Sequence, residues 1–170
     1  MTLLLDTSVV VASLVRRERY HAACRSLIES STEQLAIPAP ALCEVDHLVH
    51  RMAGAAAMPA LLRDIERGAY RLEEVDGEDL TRVVQIMESY ADLDVGFVDA
   101  AILAIVERLD EPKLATLDRK HFGAMRPRHV DAAVLAIVER LGEPKLATLD
   151  RRHFAAMRPM HVDTLELLPG

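Results

Sequence analysis

A chain of 170 residues with 51% hydrophobic and 28% charged residues has enough apolar material for one sizeable core, and a single globular domain over 1–170 is the default expectation. Its formal net charge of −7 excludes a protein that grips long nucleic acid through a general basic field. No apolar run approaches the ~20 residues of a bilayer span, and the opening MTLLLD has neither a basic leader nor an apolar stretch of signal-peptide length, so a cytoplasmic location is expected.

Strands and helices alternate along the chain. The run Leu3 to Leu5 stops at Asp6 and a turn-prone Thr-Ser, the pattern of a buried strand that delivers its last side chain to a sheet edge. Helical spacing follows over Val9 to Val15 and Ala22 to Ile28, and QLAIPAP reads as a second strand halted by Pro38 and Pro40. Leu42, Val45, Leu48, Val49 and Met52 recur at helical intervals up to Gly54, and a further helix from Met58 to Arg67 ends at Gly68. YRLEEV is a third strand. Asp76 is placed to cap a helix running to Tyr90, with Asp79 in its first turn. Past Asp94 come a helix from about Val98 to Leu109, a stop at Pro112, the strand KLATLD, and a short helix RKHFGAM closed by Pro127.

That last unit is written twice. Asp99 to Val130 falls on Asp131 to Val162 with five differences: Ile102/Val134, Asp110/Gly142, Lys120/Arg152, Gly123/Ala155 and Arg128/Met160. TLELLP follows as a terminal strand. Helical crossovers between strands imply parallel pairing, so the fold class is α/β, a three-layer α/β/α sandwich. Two copies are too few for a solenoid, which places 131–162 inside or beside the single domain as a second copy of 99–130.

Parallel sheets bind ligands outside the carboxyl ends of their strands. Four acids can reach that edge: Asp6 after the first strand, Glu44 in the first turn of the helix after the second, Asp99 at the head of the repeated helix, and Asp118 at the end of its strand. Any one of them can be read as a turn acid or a helix N-terminal charge. Gathered together, they repel one another unless a cation joins them, and oxygen ligands point to Mg²⁺ or Mn²⁺ over zinc. Thr7, Ser8 and Thr116 lie near enough in sequence to hydrogen-bond these carboxylates.

LLLDTSVVVA, PALCEVDHLV, YADLDVGFVDAAILAIVERL and LATLDRKHF, in this order, resemble the four acidic motifs of PIN-domain ribonucleases, in particular the VapC toxins of bacterial VapBC toxin–antitoxin pairs. The resemblance covers residues 1 to 125 and the terminal strand. It implies a sheet ordered 3-2-1-4-5 and a catalytic pocket of Asp6, Glu44, Asp99 and Asp118, with Asp6 and Asp99 as direct Mg²⁺ ligands. It further implies an RNA substrate, a cognate VapB-like antitoxin and a homodimer. The duplication departs from the family pattern. Asp6 and Glu44 occur once, so one pocket takes either Asp99 and Asp118 or Asp131 and Asp150. The first copy is favoured because YADLDVGF leads into it, although the second runs directly into the terminal strand.

Other readings are weaker. Glu44 and His47 have the spacing of a di-iron ligand pair, but such bundles need two of these motifs on four long helices. His121 and His153 suit a general base or, equally, a solvated helix start. Cys24 and Cys43 read as buried free thiols. Arg16, Arg17 and Arg19 could meet phosphates, but a charged helix end is the favoured description. The rival from another class is a non-catalytic partner-binding protein whose pocket the second copy blocks.

Overall fold

The computed structural model describes residues 2–109, 113–118, 121, 122 and 125, together with strands at 145–147 and 166–168. The elements in order are β1 (Thr2–Leu5), α1 (Thr7–Leu14), α2 (His21–Ser30), β2 (Gln34–Pro38), α3 (Ala41–Ala53), α4 (Ala57–Glu66), β3 (Arg71–Glu73), α5 (Gly77–Ser89), α6 (Phe97–Leu109) and β4 (Leu114–Ala115). β5 (Lys145–Ala147) and β6 (Glu166–Leu168) follow. The first four strands form one sheet, all pairs parallel, in the order β3-β2-β1-β4. This is the α/β architecture expected from the sequence.

Alternation along β1 builds both faces of the sheet. Leu3 and Leu5 pack with α1, α2 and α3 in one core, whereas Leu4 packs with α5 and α6 in the other. β4 repeats the division, Leu114 joining the second core and Ala115 the first. Burial of each leucine of β1 contributes about 1.5–3 kcal/mol, so the strand that ends at Asp6 is firmly fixed. Helix α6 is buried along most of its length, Ala100 to Val106, and this accounts for its nearly continuous apolar sequence.

Sequence signals for helix ends hold. Gly54 and Gly68 follow α3 and α4 with φ of 85° and 80°, where a Cβ is strained. Asp76 caps α5 in a complete capping box with Asp79. Asp79 is almost fully buried and pairs with Arg108 of α6 at 3.0 Å, while Arg82 pairs with Glu107, so ion pairs also join α5 to α6.

Three expectations are corrected. KLATLD yields a ladder of only two residues, because Thr116 turns its hydroxyl to Asp6 and accepts the Asp118 N–H. The terminal strand does not extend the sheet beside β4: β6 pairs in parallel with β5, the strand of the second copy, in a separate two-stranded sheet. Cys24 is buried and free, but Cys43 is exposed, on the outer face of α3. The expected short helix at RKHFGAM is described only at His121, Phe122 and Met125, where the first two form a turn and Met125 N–H donates to the His121 carbonyl at 2.9 Å. Apart from the backbone of β5, residues 131–162 lie outside the described residues, Asp131, Asp150 and His153 among them.

Candidate metal centre

β1 and β4 are neighbours, with Leu5 opposite Ala115, so both strands release their next residues at the same sheet edge. The Asp6 N–H donates to the Ala115 carbonyl at 2.9 Å. That register sets Thr116 beside Asp6: Thr116 Oγ1 donates to Asp6 Oδ2 at 2.7 Å, and Ser8 Oγ donates to the same oxygen at 2.6 Å. Both hydroxyls act twice. Ser8 Oγ accepts the Leu117 N–H at 2.8 Å, and Thr116 Oγ1 accepts the Asp118 N–H at 2.9 Å. Asp6, only 3% exposed, is thus fixed in orientation and linked to the backbone that carries Asp118.

Helix starts supply the other acids. Glu44 lies in the first turn of α3, exposed, and its Oε2 accepts from Thr7 Oγ1 at 2.9 Å. Asp99 lies in the first turn of α6 with its side chain 21% exposed. Asp6 itself is the N-cap residue of α1. Three helix N-termini therefore present their positive dipole ends toward the acids they carry. All four predicted acids meet at one edge, and Asp99 feels the charges of the other three, Asp6, Asp118 and Glu44.

Electrostatics follow from this crowding. Burial raises the pKa of Asp6, opposed by the hydroxyls of Ser8 and Thr116 and by the backbone N–H groups of Thr7 and Ser8. Burial is also the main cause for Asp99, whose carboxyl is pushed up to about 6; the neighbouring carboxylates add to the rise and His121 opposes it. A site that resists carrying its own negative charge gains when a cation arrives.

One further member, His121, was open in the sequence between a general base and a solvated helix start. His121 Nδ1 stands 2.9 Å from Asp99 Oδ2 and 3.0 Å from Asp118 Oδ2. Its backbone N–H donates to Asp118 Oδ1 at 3.1 Å, a turn that swings the ring inward. Of the two alternatives, the solvated helix start is set aside by a half-buried position among the acids. The i, i+3 spacing of Asp118 and His121 is the signal that could have indicated it. His47 and His50 are exposed on α3. Asp99, Asp118 and His121 each offer one ligand atom, all within 4.8 Å of one another, a donor set that fits a divalent cation.

The family model for the PIN domain matches residues 3–127. The chain belongs to the PIN-domain family. Its VapC-like character is shown by a relative, Ribonuclease VapC26 of Mycobacterium tuberculosis, 33% identical over 125 residues that cover 74% of this chain and 93% of that protein. The solved structure of M. tuberculosis VapC20, a toxin that cleaves the sarcin-ricin loop, shares the PIN fold with a TM-score of 0.66 at 17% identity, over 74% of this chain and 97% of that one. The PIN match ends before the second copy begins, and the described residues include no helix long and apolar enough to cross a membrane.

Proposed function

We propose that this PIN-domain protein is a divalent-metal-dependent endoribonuclease, the cytoplasmic toxin of a pair whose VapB-like antitoxin restrains it. The observation that carries the reading is the convergence of Asp6, Glu44, Asp99 and Asp118 at the carboxyl ends of β1 and β4, with Asp6 braced by two hydroxyls. A relative named as a ribonuclease makes RNA the substrate class.

Asp6 and Asp99 would hold Mg²⁺, or Mn²⁺, at the edge of the sheet. Such an ion, when bound, makes water a stronger nucleophile at neutral pH and offsets charge on the scissile phosphate. Ser8 and Thr116 keep the Asp6 carboxylate from rotating, and Thr7 holds Glu44 facing the same space. Glu44 would orient the attacking water and take its proton as the water oxygen bonds to phosphorus and the ester oxygen leaves, and Asp118 would complete the shell around the ion. An open groove lined by Leu14, Val15, Met52 and Ala57 together with Arg16 and Arg17 offers apolar and cationic contacts to an amphipathic antitoxin helix. Leu80, Val84 and Met87 form an exposed apolar stripe along α5, in keeping with a homodimer.

RNA cleavage by the full chain with added divalent ion, compared with Asp6→Asn, Asp99→Asn and Asp131→Asn, tests this. Cleavage should end in the first two variants and persist in the third. Full activity in Asp6→Asn or Asp99→Asn removes the proposal, and loss in Asp131→Asn with activity in Asp99→Asn moves the site to the second copy.

A further inference from the structure

Oxygen ligands alone would leave Mg²⁺ and Mn²⁺ nearly equivalent here, but the donor set contains a nitrogen. His121 Nδ1 is fully enclosed and forms no hydrogen bond among the described residues, although Asp99 Oδ2 and Asp118 Oδ2 stand at 2.9 and 3.0 Å. The distances are of hydrogen-bond length, yet the contacts do not meet hydrogen-bond geometry. They suit another geometry as well. Around an octahedral cation with bonds of about 2.1 Å, adjacent ligand atoms sit about 3 Å apart. The two Nδ1···Oδ2 separations match edges of such an octahedron, and all three donor atoms fall within 4.8 Å.

We infer that His121 Nδ1 is a direct metal ligand alongside Asp99 and Asp118, and that the centre consequently selects Mn²⁺ over Mg²⁺. The inference rests on the metal-dependent reading above and deepens it. An imidazole nitrogen is a softer donor than carboxylate or water, so it strengthens binding of first-row transition cations and contributes little to Mg²⁺, which retains its water shell. Two features pre-set the ring: its backbone N–H is tied to Asp118 Oδ1, and Met125 N–H closes the turn on the His121 carbonyl. The same turn thus presents one carboxylate and one imidazole to the same point.

Pulsed EPR of the Mn²⁺-loaded full chain reads the ligand directly. An imidazole ¹⁴N coupling is expected that changes to ¹⁵N on histidine-specific labelling of the wild-type protein, disappears in His121→Asn, and persists in His50→Asn, an exposed histidine of α3. Calorimetry should show the preference for Mn²⁺ over Mg²⁺ falling by at least about tenfold in His121→Asn, the low end of what loss of even an outer-shell partner costs in metal affinity. Isotope labelling requires no variant, so a poorly folding His121→Asn leaves the test intact. Mn²⁺ bound in an Asp99-dependent manner with no nitrogen coupling overturns the inference while the nuclease reading stands. Mn²⁺ binding indifferent to both Asp6→Asn and Asp99→Asn overturns the metal centre itself, and the inference with it.

Discussion

Replacing Asp99 by Asn in the metal-free protein should make it more stable at neutral pH, even as it ends metal-dependent cleavage. The carboxyl has an ordinary value of 3.8 and is pushed up to about 6 in the fold, principally by burial. Between those two values the folded state binds more protons than the unfolded chain, so stability falls as pH rises through that window and reaches its floor above about 6. A displacement of about two pH units corresponds to about 3 kcal/mol. Asn is neutral and nearly isosteric, so it escapes that penalty, but it also loses attraction to His121; a net gain of about 1–3 kcal/mol is expected above pH 7, shrinking toward zero near pH 4. Asp99 serves this experiment better than Asp6, whose carboxylate is held by two hydroxyl donors that an amide would disturb. Urea unfolding of wild type and variant with chelator present, at half-unit steps from pH 4 to 8, measures the difference. Saturating Mn²⁺ should reverse its sign, since only the wild type gains by binding. A difference that does not vary with pH, or a variant less stable than wild type at pH 7.5 without metal, refutes the electrostatic argument.

Thr116→Val removes the hydroxyl that donates to Asp6 and accepts from Asp118 N–H, and should weaken Mn²⁺ binding by about 10- to 100-fold in calorimetry; unchanged affinity refutes its positioning role. Asp79→Ala breaks the capping box of α5 and deprives Arg108 of its buried partner, for an expected loss of about 2–3 kcal/mol by urea unfolding, against a few tenths if the pair were merely a surface contact. Excising residues 131–162, so that Val130 meets Asp163, should leave a folded protein that retains cleavage, with a thermal midpoint no lower than wild type. The strand paired with β6 is lost, but an identical Lys-Leu-Ala segment remains at 113–115. An unfolded or inactive product shows that the second copy supports the site.

Much of the site was legible because each acid marks the end of a regular element. The leucines of β1 are buried on both faces, so the first residue past them has to emerge at the sheet edge, and Asp6 does. Glu44 and Asp99 were legible as helix starts, since the apolar spacing that follows each fixes which turn comes first. The turn glycines and the Asp76 cap were legible for the same reason: a local backbone requirement selects the residue. His121 was legible only as an open choice between general base and solvated helix start, because its place beside Asp99, 22 positions earlier, depends on how α6 crosses the sheet. Neither β4's two-residue length nor its hydroxyl network could be read from KLATLD, whose alternation continues past the point where Thr116 leaves the ladder to bond Asp6.

The duplication sets a limit of another kind. Lys113-Leu114-Ala115 and Lys145-Leu146-Ala147 are the same residues, so no side-chain preference can tell the terminal strand which to join. Local sequence ranks the two pairings as equal, and the choice falls to chain length. From β5 to β6 the connection spans residues 148–165, whereas from β4 it spans 116–165. A shorter loop costs less closure entropy, but only about 1 kcal/mol separates loops whose lengths differ by this factor. The observed pairing of β6 with β5 is favoured by that small term, whereas the connections from β1 to the two copies are so alike in length that the same term separates them by only about 0.2 kcal/mol. Asp118 follows the strand that pairs with β1 and so stands at the same sheet edge as Asp6, while the terminal strand pairs with the second copy in a sheet of its own.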